Sequence, residues 1–489
     1  MPVLSLILSV IFLYIWFADV RNALRIRNSF LQSNVARFTI KALLLISGVV
    51  LLVNTVIPTI GNSELLYLFS VILSAGISYT WYTYLRWIDI FEPERKRFLY
   101  LTFFLSCLSI WAVFPITDLL QTVGFKLNGE PLNDFVYSSV VIGMVEELVK
   151  VVPVLLILFF TRQIDEPIDY IIYGGMSALG FAFIENILYL SSTNLAALGA
   201  RLLYASVAHM FFAACIAYPL ALNRIKTGKK FSLLVFIAGY ILASLAHGFY
   251  DFWLITEQWR LPIATTVFFL GSLHIFSLMK NNLINLSDFY DEAIRINRNK
   301  LKYDLVWYFI LVIYVGYLFF ALLHGSAAAN ALLLQSAIVH VAVVIYIAFT
   351  FSSLNLMRGY RFPLRFPLRF FLPKMDGYPD YTGLNLAIQR ISSRSPLGKV
   401  QQVGEKLTGT LLKRVVLEED LNWYLFLDEN EGGFLIKPKD FTTPFDEKEP
   451  KQVLVVPLKA PVNPATLMYK RSNLNKGRVG LAVLQNITL

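Results

Sequence analysis

Glu146 and Glu147 stand side by side in the middle of an apolar run, residues 134–160, that is long enough to cross a membrane, and Lys150 follows one turn later. An ionisable side chain at the centre of a spanning helix costs at least ~2.5–3.5 kcal/mol, so three within five residues require a polar, functional surrounding. The next runs add Phe181, Glu185, Asn186 and Tyr189, then His209, then His247 and Asp251. A carboxyl group in a low-dielectric interior can exchange protons near neutrality. A histidine beside it can polarise water, hold a metal or donate to a developing oxyanion. Together these groups suit activation of water for hydrolysis of an amide bond.

Spacing sharpens the set. Glu146 and Lys150 are four apart, so they share a helix face and can pair, as can His247 and Asp251. Asp251 is expected to fix the His247 ring only if the chain bends locally. Glu147 lies about 100° around the helix from Glu146, which leaves it between chemistry and holding a neighbouring helix. At the rise of an α-helix, Glu146, His209 and His247 fall roughly 21–22 Å above the same membrane edge and Glu185 about 25 Å above it. Two histidines and two or three carboxylates therefore reach a common level. A single intramembrane histidine is more often a hydrogen-bonding residue between helices than a catalyst; the shared depth of the whole set argues against that reading.

The elements that must position these residues are spans. Of 489 residues, 56% are hydrophobic and 16% charged, against about 25% charged in an average soluble domain. Runs of about 17–25 apolar residues give about eleven spans: 2–20, 39–60, 64–85, 98–120, 134–160, 168–191, 200–223, 232–256, 263–279, 304–323 and 331–354. Basic residues crowd alternate loops, such as Arg95, Lys96 and Arg97 or Arg224, Lys226, Lys229 and Lys230, while the others hold little beyond Lys126 and Arg260. By the positive-inside bias the amino terminus is outside and the carboxyl terminus cytoplasmic. The first run lacks a basic start and a small-residue cleavage site, so it reads as a retained span. The net charge of +10 follows this topology and does not point to nucleic acid. Cys107 and Cys215 lie in apolar runs with no metal-ligand spacing.

The expected organisation is spans one to four over 1–133, a core of spans five to eight over 134–256, and spans nine to eleven over 257–359. Residues 285–303 within the last group read as a surface helix capped by Ser287. A basic, aromatic, proline-containing linker, 360–373, repeats RFPL and suits anionic headgroups. Residues 374–489 are nearly balanced, with 16 basic and 13 acidic residues. Their short branched or aromatic segments between Gly, Asn, Asp and Pro predict a small soluble β-rich (α+β) domain after a helical stretch near 381–392. A regulatory or partner-binding role is the default for it.

Other protease chemistries leave weaker traces. No HExxH zinc helix is present, and no GxGD accompanies an intramembrane aspartate. Gly175-Met-Ser177-Ala with His247 is a faint serine-protease pattern; Ser177 reads better as a small residue for close helix packing.

At the polar residues of spans five to eight the chain resembles the PrsW family of intramembrane proteases, relatives of the CAAX-processing and bacteriocin-processing enzymes. EELVK at 146–150 stands for EExxK, GFAFIENILY at 180–189 for FxxxEN, His209 for a lone histidine, and HGFYD at 247–251 for a final HxxxD-like motif. The resemblance implies Glu146, Glu147, Glu185, His209 and His247 as the catalytic set, supported by Lys150, Phe181, Asn186 and Asp251. In the expected roles, Glu146 is the general base, His209 and His247 are water or metal ligands and oxyanion stabilisers, and Glu185 and Asn186 position water. His209, His247 and Glu185 would satisfy zinc with water as the fourth ligand; a metal-free, glutamate-activated water uses the same residues, and both stay open. The expected protein is an all-α polytopic membrane helix bundle with a small β-rich appendage. It is an intramembrane endopeptidase acting on a membrane-anchored protein within the lipid bilayer, in regulated proteolysis, with a cytoplasmic partner for residues 374–489. The alternative is a non-proteolytic proton- or ion-coupled transporter or membrane sensor using the same polar cavity.

Overall fold

A computed structural model describes residues 34–356 apart from 62, 257–259 and 291–297, a few positions around 17–21 and 359–364, and the backbone of five later strands. Ten helical rods occupy the first part. They are α1 (Asn34–Thr55), α2 (Ser63–Ile88), α3 (Lys96–Thr122), α4 (Pro131–Tyr137, Ser138–Met144 and Val145–Phe160 in succession), α5 (Asp169–Ser192), α6 (Leu198–Thr227), α7 (Leu233–Ile255), α8 (Pro262–Asn285), α9 (Arg298–His324) and α10 (Ser326–Ser352). In hydrocarbon every backbone N–H and C=O needs an internal partner, which long helices supply.

Among the described residues, nine helices are long and apolar enough to cross a membrane. The tenth rod, α4, has the length but carries Asp134, Glu146, Glu147 and Lys150. The run 2–20 lies outside the described residues, so the expected eleven becomes nine plus α4 here. Of the surface helix expected over 285–303, residues 291–297 lie outside the described residues; α8 runs on to Asn285, residues 286–290 are not helical, and α9 already begins at Arg298, while the Ser287 hydroxyl oxygen accepts the Phe289 amide at 3.0 Å.

The bundle is arranged around α5 and α6, which are buried on nearly every side, as expected of helices apolar all round. The two rods pack on each other; α5 also touches α2 and α3, and α6 also touches α7. Small residues set these distances. A Cβ at Gly180 would stand 2.1 Å from the Phe103 carbonyl oxygen of α3. One at Gly143 would stand 2.4 Å from the Ser244 carbonyl oxygen, and one at Gly248 2.3 Å from Ser139 Oγ, so α4 and α7 touch backbone to backbone. Leu43, Leu44, Phe104, Leu108 and Leu234 remain exposed on the outer rods, where lipid would cover them.

Two rods contain π-helical turns, Ser138–Met144 in α4 and Arg201–Ala205 in α6. Each added residue rotates everything after it by roughly 100° relative to an unbroken helix. Neighbouring side chains tie down the loosened carbonyls: Tyr240 OH donates to Met144 O at 2.6 Å, and Trp81 Nε1 to Leu202 O at 2.9 Å.

In the second unit the backbone forms β1 (Lys406–Glu418), β2 (Leu421–Asp428), β3 (Gly433–Pro438), β4 (Pro450–Val456) and β5 (Gly480–Asn486), closed in the order β1-β2-β3-β5-β4. The β3–β5 pair is parallel and the others antiparallel. The linker 360–373, for the most part, and the helical stretch expected near 381–392 lie outside the described residues.

The α4–α7 contact yields a prediction. Gly248→Ala forces a methyl onto Ser139 and should destabilise the bundle by about 1–3 kcal/mol. Gly48→Ala, with nothing within 4 Å, should be neutral or slightly stabilising. Unfolding midpoints of the two variants in detergent measure the difference.

Candidate active site

Downstream of its π turn, α4 presents Glu146, Glu147 and Lys150 to the bundle interior. Lys150 is 2% exposed and its ammonium lies at the centre of the cluster. Its Nζ is 2.8 Å from Glu147 Oε1, 3.3 Å from Glu146 Oε2 and 2.9 Å from His209 Nδ1. It also sits 4.3 Å above the Phe181 ring of α5, where the ring face attracts a cation. That contact gives Phe181 a physical role.

The two glutamates are unequal. Glu147 is 1% exposed, and its Oε1 receives both Lys150 and His247 Nδ1, the latter at 2.8 Å. It therefore holds α7 to α4 and sets the His247 ring. Glu146 is half-buried; its Oε2 has no hydrogen-bond partner and stands 3.7 Å from His247 Nε2. That separation is too long for a direct bond and wide enough to ask for a bridging water.

The histidines arrive from α6 and α7 with their rings 5.4 Å apart and nearly perpendicular. His209 Nε2 lies 2.8 Å from Glu185 Oε2. His247 stacks on Phe212 at 4.6 Å, and Asp251 Oδ2 approaches His247 Nε2 at 3.3 Å. No bend in α7 is needed for that last contact, contrary to expectation, because side-by-side residues meet once the ring turns toward the following turn. Asn186 and Glu185 face Arg201, which gives Nε to Asn186 Oδ1 at 2.5 Å and one terminal nitrogen to Glu185 Oε2 at 2.5 Å. Ser177 is spent on packing: its hydroxyl donates to the Lys150 carbonyl at 2.5 Å.

Every site residue expected from the sequence thus falls into one connected network. Two contributors were not foreseen. Arg201 is the first residue of the π turn in α6, and its side chain reaches Asn186 and Glu185 of α5. Phe212 has no signal in the sequence, being one phenylalanine in an apolar run. The four carboxylates Glu146, Glu147, Glu185 and Asp251 face the two fixed cations Lys150 and Arg201. That leaves two negative charges for protons or a divalent ion to balance.

Glu146, His209 and His247 can each offer one ligand atom with all three within 4.8 Å of one another. The unpartnered Glu146 oxygen and the Glu147-oriented His247 ring fit a metal by donor type. Here Glu146 occupies the place that the sequence reading gave to Glu185, which is engaged by Arg201 and His209. His209 has a neighbour on each nitrogen and would join a metal by releasing one of them.

Residues 94–279 match the profile described as PrsW family intramembrane metalloprotease. Protease PrsW of Clostridioides difficile (strain 630) is 30% identical over 194 residues, 38% of this chain and 79% of the relative. Protease PrsW of Bacillus subtilis (strain 168) is 30% identical over 182 residues, covering 37% and 79%. That of Geobacillus kaustophilus (strain HTA426) is 28% identical over 188 residues, covering 38% and 80%. The chain belongs to the PrsW family of intramembrane proteases, and its apolar helices make it a multi-pass membrane protein. No solved structure matches it.

Arg201 gives the second prediction. Arg201→Met leaves Glu185 buried with His209 alone and should lower stability by about 3–5 kcal/mol. Arg201→Lys keeps the charge but not the two-pronged hold, and should recover part of the loss. Thermal unfolding of the purified variants reads both effects.

Proposed function

We propose that this chain hydrolyses a peptide bond of a membrane-anchored protein, with Glu146 as general base. One observation carries the reading: Glu146 is half-buried and its nearest charged partner is Lys150 at 3.3 Å, whereas Glu147 is 1% exposed and bonded to Lys150 and His247, and Glu185 is held by Arg201 and His209. A water between Glu146 Oε2 and His247 Nε2 gives its proton to Glu146 as its oxygen adds to the substrate carbonyl carbon. Negative charge gathers on the carbonyl oxygen, where Lys150 and the histidines provide positive charge and donors. The tetrahedral centre then collapses, the C–N bond breaks, and Glu146 returns its proton to the leaving amine.

Glu147 and Glu185 act by orienting His247 and His209, and Asn186 acts with Arg201 by holding Glu185. A divalent ion such as zinc, when bound by Glu146, His209 and His247, would lower the pKa of a water and polarise the carbonyl. Glu185 is the alternative carboxylate donor of the sequence reading.

The wider reading follows the charge pattern. The run 2–20 and α4 complete eleven spans, with the amino terminus outside and the carboxyl terminus cytoplasmic. Residues 374–489 form a β-rich cytoplasmic domain that binds a partner, and cleavage serves regulated proteolysis. Residues 134–256 are the catalytic core, flanked by spans over 1–133 and 257–359.

Cleavage of single-span reporter proteins by the purified enzyme tests the base. Glu146→Gln should reduce turnover by roughly 10²–10⁴-fold; activity equal to wild type sinks the assignment. Zinc measured at one per chain and lost in His209→Ala and His247→Ala would establish the metal-bound form, whereas full activity in metal-free protein would establish the glutamate–water form.

A further inference from the structure

A second group of carboxylates lies far from this site, where α2, α4 and α5 meet loops 89–95 and 161–168. Asp169 opens α5, roughly 24 Å along the helix from Glu185. Its Oδ2 accepts the amides of Asp165 at 2.9 Å and Glu166 at 2.6 Å, while its Oδ1 is buried without a partner. Asp89 and Glu166 repeat the pattern. Asp89 Oδ2 takes Arg86 at 3.0 Å and the Glu94 amide at 2.6 Å, leaving Oδ1 unpartnered. Glu166 Oε1 takes the Ser287 hydroxyl, leaving Oε2 unpartnered. Glu94 Oε2 accepts Tyr173 OH at 2.5 Å.

These carboxylates have little positive charge to answer them. Arg86 is spent on Asp89 and on the Glu94 carbonyl, and Arg95 stands beside Glu92. Arg224 donates to the carbonyls of Ile164 and Asp165 rather than to a carboxylate. Lys230 acts on Asp165 and Asp169 without bonding either, and donates nothing to the buried Asp169 oxygen.

Glu94, Asp165 and Asp169 can each bring one oxygen within 4.8 Å of the others. We propose that these three residues bind one hard divalent cation, Ca²⁺ or Mg²⁺, and so pin the α2–α3 loop and the α4–α5 loop to the start of α5. An all-oxygen, carboxylate-rich donor set suits such ions and not a softer metal. The buried Asp169 Oδ1 supplies the oxygen that no protein donor reaches.

The full-length protein in detergent, stripped of metal with a chelator, is titrated with calcium alone and magnesium alone by calorimetry, with thermal unfolding in parallel. One ion per chain and a midpoint that rises with its concentration are expected. Asp169→Asn and Asp165→Asn should each weaken binding by about tenfold or more, while Glu146→Gln, which alters the intramembrane cluster, binds as wild type. Asp165 is half-buried in a loop, so its variant keeps the test valid if Asp169→Asn fails to fold. Absence of binding by either ion overturns the proposal. Equal binding by the Asp165 variant, or binding lost in Glu146→Gln, also overturns it, the last by placing the ion in the membrane.

Discussion

The ammonium of Lys150 is the charge around which the membrane core is built. It is 2% exposed and touches Glu146, Glu147 and His209 at once. Taken out of water, each ion carries a penalty of several kcal/mol that close, well-aligned partners must offset. Two adjacent glutamates on one helix could not be buried together without such a cation. Removing any member leaves the remaining charges without partners, so the network holds α4, α5, α6 and α7 in one arrangement.

That demand explains otherwise unrelated features of the rods. Adjacent backbone turns of α4 and α7 must come close enough for Glu147 to reach His247, and Gly143 and Gly248 permit it. Each site-bearing rod with a π turn delivers its key residues just after that turn, Glu146 in α4 and His209 in α6. Helices with such defects would lose backbone bonds to no purpose in lipid; here Tyr240 and Trp81 donate to the affected carbonyls. The family match covers this network, residues 94–279, and α1, α2, α9, α10 and the strand-forming segment lie outside it.

Burial also sorts the two glutamates by task. Glu147, closed in and doubly bonded, is a positioning residue for His247 and a counter-ion for Lys150. Glu146 is half-buried and less tightly held, 3.3 Å from Lys150 and 3.7 Å from His247. The same separation recurs on α5, where Glu185 orients His209 and is itself steadied by Arg201.

Nine of the spans and the positions of Glu146, Glu147, Glu185, His209 and His247 were legible in the sequence, because hydropathy and helical rise are properties of single segments. Charge inside an apolar run is likewise a local fact, so it marked the site before any fold was known. The roles within the site were not legible. Which glutamate binds His247 and which stays half-buried, the pairing of Arg201 with Asn186, the stacking of Phe212 on His247 and the contact of Asp251 with that ring depend on helix rotation. Rotation is set by π turns and glycine contacts between different rods, and such contacts are energies of pairs of helices that no single segment contains.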